Sequence, residues 1–267
     1  MNRDIKSIAK EIDWSDFLFK LNLYKIRIDL DVKTWDDIVL KIFPKLNLFN
    51  YKFLENKQIT SLNGCPKEFS GNFNCRNNQL TSLICAPEKI SKNFCCSRNR
   101  LTSLEGSPRE VGGDFCCTNN ALTSLECGTQ KVGGDFICSE NKLTSLKGSP
   151  KEIYGDFDCS KNELTSLEGS PKEIFGHFNC SKNELTSLEG SPEKVGGSFW
   201  CAYNQLTSLE GAPMEIDGIF SYSGNPDLPE YKIKAYIAFL KLPDSEKELL
   251  TKDGHYFPTK EWEDQFK

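Results

Sequence analysis

The sequence is built on one sentence repeated with a fixed step. L-T-S-L-E-G-S-P-K-E-I-F-G-H-F-N-C-S-K-N-E, from Leu164 to Glu184, recurs from Ile59, Leu80, Leu101, Leu122, Leu143, Leu164, Leu185 and Leu206. The step is 21 residues in all eight copies, with no insertion or deletion. A constant period of this length implies a solenoid, each copy being one rung stacked on the next. It excludes a globule whose elements differ in size and order.

Counted from the leading leucine or isoleucine, leucine also fills slot four and phenylalanine fills slot fifteen, in every copy. Slot eleven is Ile, Val or Phe. Slot seventeen is cysteine in seven copies and Tyr222 in the last, and slot twenty is always asparagine, from Asn78 to Asn225. Residues two apart in an extended segment share a face. F-x-C is therefore a short strand with its Phe and Cys inward, and strands of successive rungs stack in parallel at about 4.8 Å. The asparagine amide both donates and accepts, so its column can satisfy backbone groups that leave the sheet at the turn. Glu-Gly-Ser-Pro, as in Glu168 to Pro171, excludes an ordinary helix in the return half. That half is expected to be extended or polyproline-like, with a tight turn. One rung alone cannot offset its ordering entropy, so the array must fold as a unit with capped ends.

Twelve cysteines in 267 residues could suggest a disulfide scaffold. Seven of them, Cys75, Cys96, Cys117, Cys138, Cys159, Cys180 and Cys201, occupy the single slot seventeen. Reduced cysteine packs as a small apolar residue, so this column reads as core. The close pairs Cys95–Cys96 and Cys116–Cys117 point to opposite faces of a strand and do not chelate one ion, so no metal is expected. Cys95 and Cys116 face outward one rung apart, and could form a disulfide or sense redox state.

F-x-C-x-x-N-x-L-T-S-L resembles the leucine-rich-repeat pattern L-x-L-x-x-N-x-L-x-x-L, with Phe and Cys in place of the strand leucines. The whole rung is similar to the short bacterial class of leucine-rich repeat found in secreted effectors of enteric pathogens, whose return is proline-containing and non-helical. L-T-S-L-E-G-S-P arrays also resemble proteins of bacteriophages and large DNA viruses. The resemblance covers residues 59–226. It implies a β-rich solenoid with parallel strands on a concave face, a non-helical convex side and helical caps. It further implies a role in the cytosol of a host. Two departures stand out. Glu-Gly-Ser-Pro replaces the effectors' leucine between prolines. No cysteine follows Cys201, so the ubiquitin-ligase chemistry that some effectors carry is expected to be absent.

Residues 1–58 break the period and read as a mostly helical N-terminal cap. Ile5, Ile8, Ala9 and Ile12 have helical spacing, Ile26, Ile28 and Leu30 alternate as a strand would, and Thr34 opens a second helix ending at Pro44. Lys52 to Gln58 forms a half-rung with Leu54 in the cysteine slot. Residues 227–267 read as a helical C-terminal cap. Ile233, Tyr236, Ile237 and Leu240 share a face, Ser245 and Glu248 match a capping box, Gly254 suits a stop, and Thr259 opens a last helix.

A net charge of −5 lacks the basic footprint of a nucleic-acid binder. No apolar run reaches the roughly 18–20 residues that cross a bilayer. The N-terminus has no signal-peptide core, so a cytoplasmic chain without membrane contact is expected. There are two histidines, and no phosphate loop, H-E-x-x-H or G-x-S-x-G, so neither an enzyme nor a cofactor is expected. The expected function is therefore a protein-interaction scaffold. Its variable face consists of slots fourteen, sixteen, eighteen and nineteen, set between invariant core slots. The candidate contact residues are Trp200, Tyr203, His177, Asp158, Asp156, Ile137, Arg98 and Arg76, with Trp200 and Tyr203 as anchors. Asp114, Asp135, Asp156 and Asp158 read as an acidic strip. An alternative is a lattice- or glycan-binding array built on the threonine column from Thr60 to Thr207, whose hydroxyls could otherwise bond their own backbone.

Overall fold

The computed structural model describes residues 54–267. The helices and strand expected before residue 54 lie outside the described residues. Within them the chain is a parallel β-solenoid. Slots fifteen and sixteen of each rung form a two-residue strand, from Phe73–Asn74 to Phe220–Ser221, and the eight pair in parallel in strict chain order. The register follows the period: Phe157 lies between Phe136 and Phe178. Hydrogen bonding continues past the strand: Phe157, Cys159 and Lys161 donate N–H to His177, Asn179 and Ser181 of the next rung at 2.8, 2.9 and 2.9 Å.

The inward side is mostly apolar, and buried polar groups such as Thr129 are hydrogen-bonded to backbone carbonyls. The leucines of slots one and four, the phenylalanines from Phe73 to Phe199 and all seven slot-seventeen cysteines are buried. The phenylalanine rings form a continuous column with centroids 5.2–6.2 Å apart, stacked or tilted at both ends and edge-on around Phe157. Burial pushes the thiols of the cysteine column up, that of Cys75 to about 12, which keeps them protonated and apolar.

The asparagine column closes the corner after the strand. The Asn162 amide Nδ2 donates to the carbonyls of Cys138, Cys159 and Ser160 at 3.2, 2.9 and 3.2 Å, while its Oδ1 accepts the Leu143 N–H at 3.1 Å. The pattern begins one step early: Leu54 is buried in the cysteine slot and its carbonyl accepts Asn78 Nδ2 at 2.7 Å.

The return half is extended, as the proline and glycine slots require, and it adds a second set of strands at slots ten and eleven. Slot six turns the chain with positive φ in every rung. Glycine fills it six times, and Cys85 (φ 71°) and Cys127 (φ 60°) take it twice. A Cβ at Gly148 would sit 2.5 Å from the Glu126 nitrogen of the rung below, which accounts for the preference.

These return strands form one five-stranded sheet, Glu68–Phe69 to Glu152–Ile153, and one three-stranded sheet, Glu173–Ile174 to Glu215–Ile216. The outward residues of slot ten run Glu68, Lys89, Glu110, Lys131, Glu152, Glu173, Lys194, Glu215. Opposite charges pair along it, Lys89 with Glu110, Lys131 with Glu152 and Lys194 with Glu215, at 2.8–2.9 Å. The alternation fails once, at Glu152 and Glu173, and the sheet breaks there. Like charges on adjacent strands oppose pairing. Glu173→Thr is therefore expected to raise the midpoint of thermal unfolding by roughly 1–2 °C, the size of a surface charge effect. A melt followed by circular dichroism checks it, and an unchanged or lowered midpoint would assign the break to the bulky side chains nearby instead.

The C-terminal segment covers the last rung. Helix α1 (Glu230–Phe239) buries Ala235, Tyr236 and Phe239. Tyr236 packs edge-on against Phe220, centroids 4.9 Å apart, and donates its hydroxyl to the Pro213 carbonyl at 2.7 Å. Ile237 is only half-buried, so the apolar face is rotated from the expected one. Helix α2 (Asp244–Lys247) starts after Pro243 with no side-chain cap. Ser245 is therefore inside the helix, and the expected capping box is not formed; Pro243, with its fixed φ, sets the start instead. Gly254 (φ 80°) turns an antiparallel hairpin of Thr251–Lys252 and His255–Tyr256 rather than ending a helix. This hairpin docks on the last rung through Tyr256 and Ala212, N–H to carbonyl, at 3.0 Å. Thr259 does cap helix α3 (Lys260–Asp264), accepting the Trp262 N–H at 3.2 Å. No helix of the described residues is long and apolar enough to cross a membrane.

Candidate interaction face

The outer face of the eight-stranded sheet is made of four columns. Their side chains are committed to very different degrees. Slot fourteen is a structural ladder. Asn93, Asp114, Asp135 and Asp156 each donate a backbone N–H to the slot-fourteen Oδ1 of the preceding rung, at 3.1, 3.1, 3.0 and 2.8 Å. His177 continues it to Asp156 Oδ1 at 2.7 Å, Ser198 to His177 Nδ1 at 2.7 Å, and Ile219 to Ser198 Oγ at 3.0 Å. Because Nδ1 accepts, the neutral His177 ring carries its proton on Nε2. The glycine of slot thirteen makes room: a Cβ at Gly155 would lie 2.2 Å from Asp135 Oδ1. The expected acidic strip is thus not a free surface. Asp114, Asp135 and Asp156 are half-buried and spend one oxygen each on the backbone.

Slot sixteen is half-buried from Cys95 to Ser221, with Asn74 buried at its start. Asn74, Asp158 and Asn179 each turn an oxygen back on the N–H two residues ahead, at 2.9–3.1 Å, which fixes their rotamers. Ile137 is half-buried among them. Trp200 stacks on His177, centroids 5.0 Å and planes 23° apart. The ladder that holds His177 therefore also holds Trp200.

Slot nineteen takes positive φ in every rung, with Tyr203 at 57°. Its side chains stand at the edge of the face. Tyr203 is 60% exposed, and Lys182 Nζ lies 5.7 Å from its ring centroid. Gly224 leaves space beneath the ring, since a Cβ there would meet Tyr203 at 2.6 Å. Arg76 pairs with Glu55 at 2.8 Å, and Arg98 is exposed. The structure thus gathers Asp158, His177, Trp200 and Tyr203 on rungs five to seven. Arg76 and Arg98 stand at the other end, six and five rungs from Trp200.

Cys95 and Cys116 are register partners on neighbouring strands. The Ser97 hydroxyl lies 3.6 Å from Cys95 Sγ and 3.0 Å from Cys116 Sγ, and Thr118 Oγ1 lies 3.5 Å from Cys116 Sγ. The Cys95 thiol, and then the two hydroxyls, hold Cys116 well below the usual thiol range against the opposing effect of burial. The shared proton and burial push Cys95 up. All the cysteines of the described residues are free thiols.

One exposed feature escaped the sequence reading. Tyr154 and Phe175, 49% and 57% exposed, stack with centroids 5.5 Å and planes 8° apart beside the break in the return sheets. Slot twelve is Ser, Gly or Asp in the other rungs, and that contrast was the available signal. The threonine column also differs from expectation. Thr81 to Thr207 are exposed, and it is the serine one place on that bonds the backbone, as Ser166 Oγ accepts the Glu168 N–H at 3.1 Å. The serine occupies the place two residues before a turn N–H, where a hydroxyl folds back on the backbone.

The fold defines this chain as a parallel β-solenoid repeat protein. No protein-family model, no curated protein and no solved structure matches it.

Proposed function

We propose that the chain is a non-catalytic interaction scaffold of the leucine-rich-repeat type, which grips a protein partner on the outer face of its eight-stranded sheet. The observation that carries this reading is Trp200 stacked on His177, with Tyr203 exposed at its edge. Large aromatics held rigid before binding lose little entropy on contact, and Trp and Tyr dominate interface energies. Asp158 and Asn179, with rotamers fixed by backbone hydrogen bonds, and the exposed Lys182 supply a polar rim next to them. The resemblance to secreted bacterial effectors and to phage or large-virus proteins supports a host protein as partner and the host cytosol as the place of action.

The test is capture of a partner from host lysate by the full chain and by Trp200→Ala, Tyr203→Ala and Tyr154→Ala. The first two are expected to weaken capture at least about tenfold, and the third, on the return side, to leave it unchanged. Equal capture by all four proteins would remove the patch from consideration.

A second reading rests on the exposed threonines. A column of hydroxyls repeating at about 4.8 Å could match a lattice such as ice or a glycan. Ice shaping or glycan retention by the full chain, lost in Thr144→Val with Thr165→Val, would favour it over the protein partner.

A further inference from the structure

We propose that Cys95 and Cys116 form a thiol–disulfide exchange site on the outer sheet face, with a low-molecular-weight disulfide of the glutathione disulfide class as oxidant. The two come from directly paired residues of adjacent parallel strands. Strand neighbours lie about 4.8 Å apart, inside the roughly 4.4–6.8 Å that a disulfide spans between Cα atoms. Their chain neighbours Cys96 and Cys117 point into the core and are fully buried, so only one thiol of each adjacent pair is on the face. Ser97 sits between the two sulfurs, within 3.6 Å of one and 3.0 Å of the other.

That geometry favours one thiolate in the pair. A negative sulfur at Cys116 is met by the Ser97 and Thr118 hydroxyls and by the remaining Cys95 proton, the causes that lower it. The charged groups nearby on this face are Asp114, two residues from Cys116, Asp135 on the next rung, and the exposed Arg98 at the edge of Cys95's own rung. Asp114 is tied to Asn93 Nδ2 at 2.7 Å and to the Asp135 N–H at 3.0 Å, which offsets part of its repulsion. The flanking residues of slot sixteen, Asn74 and Ile137, are uncharged.

The exchange balances without any other reactant. The Cys116 proton leaves to solvent, and the thiolate attacks one sulfur of the small disulfide. That S–S bond breaks, a mixed disulfide forms on Cys116, and one small thiolate departs and takes a proton. Cys95 then loses its proton and attacks Cys116 Sγ, expelling the second small thiolate, which is protonated in turn. Two electrons pass from the cysteine pair to the small disulfide, and one disulfide and two small thiols result.

The other cysteines serve as internal controls. The slot-seventeen thiols are pushed up by burial and shielded, Cys65 is pushed up but only half-buried, and Cys85 and Cys127 are exposed. The reduced full chain is exposed to glutathione disulfide at neutral pH, quenched in acid and mapped by mass spectrometry without reduction. The expected product is a Cys95–Cys116 crosslink. Cys95→Ser should trap a glutathione adduct on Cys116, and Cys116→Ser should lower adduct formation on Cys95 at least about tenfold, as thiolate content dictates. Adducts on Cys85 and Cys127 with Cys95 and Cys116 still free would overturn the site. Equal trapping in the two variants would overturn the roles given to its members.

Discussion

Truncating Phe157 to alanine is expected to destabilise the array by about 3–5 kcal/mol, the usual cost of emptying a phenylalanine site in a core that cannot collapse. The ring is fully buried and meets Phe136 and Phe178, each with centroids 5.4 Å away. The backbone on either side is fixed by in-register pairing to both neighbours, so it cannot close on the void. The loss also has an address. Each rung is stable only through its two interfaces, and a hole in rung five weakens both at once. The urea midpoint should fall, and limited proteolysis should begin to cut between the two halves. Phe220→Ala gives the contrast. Phe220 is only half-buried and leans on Tyr236 of the cap, so its loss should fray the last rung and leave the rest protected. A shared midpoint loss and the same cleavage pattern for both variants would mean that the rungs do not behave as a one-dimensional stack.

The period made most of this fold legible. A residue type that recurs every 21 positions announces a column, and Leu, Phe, Cys and Asn each do so. Slot fourteen does not, because Asn, Asp, His and Ser look like free variation. They share only an acceptor atom one or two bonds beyond Cβ, which is all that the ladder asks of them. The face that looked variable is therefore partly scaffold. The exposed Tyr154–Phe175 pair was missed for the opposite reason: two aromatics in a slot otherwise small or polar break a pattern instead of making one. The break in the return sheets coincides with the one repeated charge in slot ten, Glu152 followed by Glu173, which is visible only once slot ten is known to lie on paired strands. The cap was harder, since no repetition guides it. Its hairpin of Thr251–Lys252 and His255–Tyr256 turns on Asp253-Gly254, both at positive φ, a local signal that the sequence carried, and a bridge from His255 to Pro213 then ties it to the last rung.

Replacing Asn162 with aspartate is expected to be as damaging as the lost ring, and its damage should depend on pH. The amide of Asn162 has to donate: its Nδ2 faces three carbonyl oxygens at 2.9–3.2 Å, in a site only 8% exposed. A carboxylate keeps the bond that its Oδ1 accepts from Leu143, but turns a negative oxygen on those three acceptors. The cost is about 3–5 kcal/mol at neutral pH, that of an uncompensated buried charge together with orphaned carbonyls. Protonation restores one donor. The folded-state pKa of the new carboxyl is therefore raised above its unfolded value of about 3.9. Between the two values the folded chain binds more protons than the unfolded one, so stability falls as pH rises through that window and is lowest above it. Melting wild type, Asn162→Asp and Asn162→Ala at pH 4.5 and pH 7.5 separates the contributions. Asn162→Ala should trail wild type by the same margin at both pH values, whereas the gap for Asn162→Asp should narrow in acid. A gap for the aspartate that stays constant would mean that the corner has let water in, and that the asparagine column binds the turns less tightly than its hydrogen bonds imply.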